Sequence, residues 1–117
     1  MRILWRSAFF LLVIAQLAAP APAQQPSSYP PPEVHDYIAR DFHFRSGESL
    51  PELRLHYLTL GKPAKDTTGR VTNAVLILHG TGGTGRQFLQ PQFADVLFGP
   101  GQLLDATRYY IILPDNI

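Results

Sequence analysis

The segment His79-Gly80-Thr81-Gly82-Gly83-Thr84-Gly85 is the part of this 117-residue chain whose composition and spacing could support chemistry. It follows an apolar run, Ala74 to Leu78, that is typical of a strand buried in a sheet. A glycine-rich turn between a strand and a helix lets backbone N–H groups approach a negative charge closely. The turn could therefore bind a phosphate group or stabilise an anion that forms during a reaction.

Two phosphate-binding patterns can be compared with this turn. A P-loop requires a lysine followed by serine or threonine after the last glycine, and Arg86-Gln87 stand there instead. The spacing Gly80-x-Gly82-x-x-Gly85 satisfies the dinucleotide fingerprint, which also needs an acidic residue about 20 positions further on. Asp115 ends the next predicted strand, but it lies 30 residues beyond Gly85. A nicotinamide-dependent oxidoreductase is thus an alternative, and we expect no bound cofactor.

The third use of such a turn is an oxyanion hole. An apolar strand that ends in His-Gly and leads through a loop into a helix resembles the turn after the third strand of α/β-hydrolases. There, one backbone N–H of the turn faces the negative oxygen of the tetrahedral intermediate. The second N–H comes from the residue that follows the nucleophile. We favour this interpretation of the segment.

The serines of the chain do not provide that nucleophile. The nearest match to Gly-x-Ser-x-Gly is Gly47-Glu48-Ser49-Leu50-Pro51, which ends in proline and lies in a predicted hairpin turn. We therefore expect the nucleophile, and the Asp and His that follow it in chain order, outside this sequence.

The histidines do not have the short spacing of a zinc-binding pair, so we expect no metal site. His43 and His56 could still face each other across the hairpin. The histidines are His35, His43, His56 and His79.

The elements that must position the turn can be predicted from periodicity. Residues 41–45 and 53–60 alternate polar and apolar side chains, which predicts an antiparallel hairpin. The apolar runs 74–78 and 109–113 predict parallel strands buried on both faces. Residues 86–98 predict a helix, with Pro91 in its first turn or breaking it. The fold class is therefore α/β. We interpret Asp95 as a charge on the helix surface and Asp105 as a turn residue.

Two further segments carry a family resemblance. Phe98 to Ile112 (FGPGQLLDATRYYII) and Ser46 to Tyr57 (SGESLPELRLHY) resemble the homoserine O-acetyltransferase branch of the α/β-hydrolase superfamily. With the turn between them, the resemblance covers about residues 41–113. It implies the N-terminal part of an α/β-hydrolase fold, incomplete here, with strand 109–113 inserted between strands 53–60 and 74–78.

The resemblance also implies roles for residues of the turn. The backbone N–H of Thr81 would donate to the oxyanion, Gly80 and Gly82 would shape the loop, and His79 would support it structurally. Gly80 and Thr81 stand where that branch usually has alanine and leucine, and residues 113–117 resemble ordinary hydrolases more closely.

The N-terminal region predicts export. Two arginines precede an apolar run, and Ala21-Pro22-Ala23 follows as a small-x-small cleavage motif. We expect a signal peptide at residues 1–23, a proline-rich lead-in at 24–40 and the truncated hydrolase domain at 41–117. The mature chain would then carry a net charge of −1, without a lysine or arginine cluster, which argues against nucleic-acid and membrane partners.

These observations combine into one functional expectation. The parent protein is predicted to be an exported, periplasmic or secreted, serine-type hydrolase that cleaves an ester or related acyl bond of a small molecule through an acyl-serine. An acyltransferase of the homoserine type and a secreted, non-catalytic binding domain with the same fold are the alternatives. The 117-residue chain alone is predicted to be inactive.

Overall fold

The computed structural model describes residues 27–116. The predicted signal peptide at residues 1–23 lies outside the described residues, as do the first three residues of the predicted lead-in. Within the described range, no helix is long and apolar enough to cross a membrane.

Two long antiparallel strands form the first part of the sheet. β1 (Glu33–His43) pairs with β2 (Ser49–Leu60) in a register that runs from Glu33 opposite Thr59 to His43 opposite Ser49. The predicted hairpin is confirmed, but its first strand begins at Glu33, within the predicted lead-in, and not at residue 41. The side chains of this early part are largely solvent-exposed (56% for Val34 and 58% for Tyr37), so the sequence carries no burial pattern there.

The strand order of the sheet is β1-β2-β4-β3. β4 (Tyr110–Pro114) runs antiparallel to β2 and parallel to β3 (Ala74–Leu76). The fourth strand in the chain therefore lies between the second and the third, as the family resemblance implied. Because β3 and β4 are parallel, the segments that follow them leave the sheet at the same edge.

The expectation that residues 74–78 form a strand buried on both faces is wrong. β3 has three residues, and the side chains of Leu76 and Leu78 are 59% and 68% exposed. The reason is its place in the sheet: β3 is an edge strand, which pairs with β4 alone among residues 27–116.

The predicted helix at 86–98 is divided in two. A 3-10 helix (Gly85–Leu89) is followed by α1 (Pro91–Leu97). Gln90 separates them in an extended conformation (φ −68°, ψ 144°), which is the conformation that a following proline favours. Pro91 then occupies the first turn of α1, where its missing N–H is not needed.

The hydrophobic core lies between one face of the sheet and these helices. Leu58 and Leu60 of β2 stand opposite Leu113 and Ile111 of β4, and all four side chains are buried. The remaining members of the core are Phe88, Ala94, Phe98 and Ala106. This packing fixes β4 and the helices relative to each other, and the glycine-rich turn connects β3 to the first of those helices.

Candidate functional site

The glycine-rich turn and the end of β4 form one cluster at the edge where the parallel strands end. The backbone N–H of Gly85 donates to Asp115 Oδ1 at 2.8 Å. The side-chain amide of Asn116 donates to the carbonyl oxygen of Gly83 at 3.3 Å. The glycine-rich turn, which follows β3, and the segment that follows β4 therefore contact each other directly.

Thr81 lies at the tip of a tight turn. The N–H of Gly83 donates to the carbonyl oxygen of Gly80 at 3.0 Å, and Gly82, the third residue of the turn, has φ +77°. A positive φ at that position is typical of a type II turn and favours glycine. Thr81 is exposed, and no residue of the described chain accepts a hydrogen bond from its backbone N–H. Its assignment as oxyanion donor stays a prediction, as do the assigned roles of Gly80 and Gly82.

His79, which immediately precedes the turn in the sequence, contacts it through its imidazole ring. Its Nδ1 lies 2.7 Å from the carbonyl oxygen of Gly80, which also accepts the Gly83 N–H. Since a carbonyl oxygen can only accept, Nδ1 must carry the proton in this contact. Such a bond would hold the turn in place, and the proposed supporting role of His79 stays a prediction.

Gly85 allows the turn to approach β4 closely. A Cβ atom at this position would overlap the carbonyl oxygen of Leu113 and lie 2.9 Å from its carbonyl carbon. At Gly80, by contrast, a Cβ atom would meet no atom within 4 Å. The glycine pattern in the sequence thus combines a conformational requirement at Gly82 with a packing requirement at Gly85.

Asp115 has a structural role that the sequence did not suggest. The dinucleotide alternative needed an acidic residue after the next strand, whereas the structure places the carboxylate of Asp115 on the N–H of Gly85. In a dinucleotide-binding fold the N–H groups at this point would have to face a pyrophosphate. The intramolecular contact of Asp115 therefore argues against that alternative.

A polar network connects Asp115 to the hairpin. Its backbone N–H donates to the carbonyl oxygen of His56 at 2.9 Å, and its Oδ2 lies 4.0 Å from His56 Nε2. His56 Nδ1 lies 2.8 Å from Asp36 Oδ1, and Arg54 donates to Asp36 Oδ2 at 2.6 Å. The hydrogen bond from Arg54, followed by that with His56, lowers the pKa of Asp36 from 3.8 to about 2.

The other predicted site residues are dispersed. His43 stands opposite Ser49 and His56 opposite Asp36, so the two histidines do not face each other across the hairpin. His35 lies 3.0 Å from Thr59 Oγ1 and stacks on Tyr57. Among residues 27–116, no group of three or more potential ligands could hold a metal ion.

The remaining polar candidates have local roles in turns and on the helix surface. Ser49 begins β2, and Ser46 donates to Glu48 in the hairpin turn. Asp105 is buried in the connector and accepts hydrogen bonds from Gly101 and Thr107, which confirms it as a turn residue. Asp95 is exposed on α1, as expected.

Comparisons with known proteins support the α/β-hydrolase fold and the sequence resemblance to homoserine O-acetyltransferases. No family model matches the chain. A homoserine O-acetyltransferase of Leifsonia xyli subsp. xyli is 35% identical over 85 residues, which cover 65% of this chain and 20% of that protein. The crystal structure of homoserine O-acetyltransferase from Bacillus anthracis matches with a TM-score of 0.56 and 22% identity, and that of esterase E22 with 0.54 and 20%.

Both structural matches cover 74% of this chain and 24% of the other. The chain therefore spans about a fifth of the curated relative and a quarter of each solved structure. At this level of identity the structural likeness establishes the fold, and the sequence likeness identifies the branch that the chain resembles. The described residues form part of an α/β-hydrolase fold and are homoserine O-acetyltransferase-like in sequence.

Proposed function

We propose that the protein carrying this chain is a serine-type enzyme that hydrolyses an ester or related acyl bond of a small molecule. The acyl group would first be transferred to the serine, and water would then release it as the free acid. The observation that carries the proposal is the position of the Thr81 N–H. It lies in a tight turn at the carboxyl edge of the parallel strands and has no acceptor among the described residues. In α/β-hydrolases this is the turn that contributes to the oxyanion hole.

The chemistry assigned to the turn is electrostatic. When a serine attacks the acyl carbonyl, the carbonyl oxygen becomes negative, and a preorganised N–H stabilises it more strongly than water does. The hydrogen bonds of Gly80, Gly83 and Gly85 would hold the turn so that the Thr81 N–H needs no reorganisation during the reaction. Residues 27–116 contain no serine on a strand-to-helix turn, so the nucleophile is not assigned to any of them.

An acyltransferase is the second candidate, because the curated relative named above is a homoserine O-acetyltransferase. Both enzymes would form the same acyl-serine, and they differ only in the acceptor that removes the acyl group. Two features of the sequence support water as the acceptor: the predicted signal peptide at residues 1–23, and the departure from the branch at Gly80-Thr81. Because of the predicted signal peptide, export of the protein is also part of the proposal.

The test uses the protein expressed from its natural reading frame. A short-chain p-nitrophenyl ester should give a burst of p-nitrophenol, and mass spectrometry should find one acyl group on a serine. Release of the free acid at a rate unchanged by added homoserine would support hydrolysis. Conversion of homoserine to its O-acyl ester would instead support the acyltransferase. Absence of both a burst and a covalent adduct would support the non-catalytic binding domain and contradict the proposal.

A further inference from the structure

His56 lies between two carboxylates that belong to different parts of the fold. Its Nδ1 contacts Asp36 on β1 at 2.8 Å, and its Nε2 faces Asp115 after β4 at 4.0 Å. Arg54, two residues away on β2, donates to the far oxygen of Asp36 and so compensates that carboxylate. Among the described residues, no lysine or arginine forms an ion pair with Asp115. His56 is therefore the basic side chain that faces it there.

The proton on His56 decides the sign of its interaction with Asp115. With Nδ1–H donating to Asp36, a doubly protonated ring presents a second N–H to Asp115 and attracts it. A singly protonated ring presents the Nε2 lone pair to the same carboxylate, which is repulsive. Both side chains are partly buried (34% exposed for His56 and 23% for Asp115), so bulk water does not fully screen this interaction.

Asp115 transmits the interaction to the glycine-rich turn. Its other carboxylate oxygen, Oδ1, accepts the Gly85 N–H at 2.8 Å, while its backbone N–H donates to the His56 carbonyl at 2.9 Å. Gly85 lies so close to Leu113 that a Cβ atom would overlap its carbonyl oxygen, so we expect a displacement of Asp115 to move the turn with it. The contact thus joins β2, the end of β4 and the segment that carries Thr81.

We propose that His56 is a positioning residue, which in its protonated form holds Asp115 against the Gly85 N–H and so fixes the turn that carries Thr81. The consequence for acyl transfer rests on the proposed function, whereas the consequence for the Gly85 contact does not. The turn is held more loosely when the contact between His56 and Asp115 is removed. The catalytic rate would follow through the placement of the Thr81 N–H.

The test measures hydrogen-exchange protection of the Gly85 amide in the protein expressed from its natural reading frame. Asp115→Asn should lower the protection about tenfold, since the neutral amide oxygen is a weaker acceptor for the Gly85 N–H than the carboxylate. His56→Gln, which cannot become a cation, should lower it several-fold. His56→Arg, which stays charged, should keep the protection.

Matched controls separate this effect from general loss of stability. His43→Gln removes an exposed histidine from β1, and Asp95→Asn removes an exposed carboxylate from α1. Neither should change Gly85 protection, and the Ile111 amide of β4 should stay protected in every variant. Since His56 acts through Asp115, adding His56→Gln to Asp115→Asn should cause no further loss.

Two results would overturn the proposal: Gly85 protection in His56→Gln equal to that of the unmodified protein, or a loss in His56→Arg equal to that in His56→Gln. If Gly85 protection changes as expected while esterase activity does not, His56 is the positioning residue and the proposed function of the turn is wrong. If a burst of p-nitrophenol forms but Gly85 protection is insensitive to His56, the proposed function stands and the positioning role fails.

Discussion

Replacing Gly85 with alanine should destabilise the fold because of where the new methyl group would lie. It would overlap the carbonyl oxygen of Leu113 and lie 2.9 Å and 3.0 Å from the carbonyl carbon and Cβ of that residue. Leu113 is fully buried and paired with Leu58 in β2, so β4 cannot move aside. The turn must therefore shift, and the hydrogen bond from Gly85 to Asp115 is lost with it.

The magnitude follows from these contacts. Overpacking costs about 1–3 kcal/mol, and a hydrogen bond to a charged group contributes about 1.5–3 kcal/mol. Alanine also restricts the unfolded chain, which offsets about 0.4–1 kcal/mol. We expect Gly85→Ala to lower the free energy of unfolding by about 2–5 kcal/mol, measured by urea denaturation of the protein from its natural reading frame.

Gly80→Ala is the matched control, because it adds the same methyl group to the same turn. Its φ is not in the left-handed region, and no atom lies within 4 Å of the added Cβ. It should leave the free energy of unfolding unchanged or raise it by up to about 1 kcal/mol. A difference between the two variants smaller than about 1 kcal/mol would refute the close approach of the turn to β4.

Three further predictions concern pH, processing and activity. Hydrogen bonds lower the pKa of Asp36 from 3.8 to about 2, chiefly through Arg54, and they also lower that of Asp105, chiefly through Thr107. Because the pKa values of these two carboxyl groups are lower in the folded than in the unfolded chain, their contribution to the free energy of unfolding is present above pH 3.8 and is lost as pH falls toward 2. A urea midpoint equal at pH 5 and pH 2.5 would contradict this. N-terminal sequencing of exported material should begin at Gln24, and a start at Met1 would disprove cleavage. Residues 24–117 alone should not hydrolyse p-nitrophenyl acetate above background, and turnover would show that they contain a nucleophile.

The strands themselves could be predicted because each has a local signal in the sequence. Alternation at 53–60 and the apolar run at 109–113 mark the strands, and the family resemblance supplies their order. The start of β1 could not be predicted, since its pairing with β2 is made by backbone groups and its side chains are exposed. The exposure of Leu76 and Leu78 could not be predicted from composition either, because the run Ala74 to Leu78 is as apolar as an interior strand. It depends on the edge position of β3, which is set by the order of the strands in the sheet.

The candidate site was predictable only in its local part. Four glycines in six residues locate the turn. The proline at position 91 explains why the predicted helix 86–98 is divided in two. The contact between Asp115 and Gly85 joins residues 30 apart, and that between His56 and Asp115 depends on the insertion of β4 beside β2. Neither leaves a local pattern, so the polar network emerges only once the sheet is assembled.

The most direct test of the proposed function is the effect of Thr81→Pro on kcat/KM for a short-chain p-nitrophenyl ester. Proline is common at the second position of a type II turn, so the substitution removes the N–H while the turn is preserved. We predict a loss of about 100- to 1,000-fold, as for other oxyanion donors, whereas Thr81→Ala, which keeps the N–H, should lose far less. Activity of Thr81→Pro within about threefold of that of Thr81→Ala would contradict the oxyanion role of this turn.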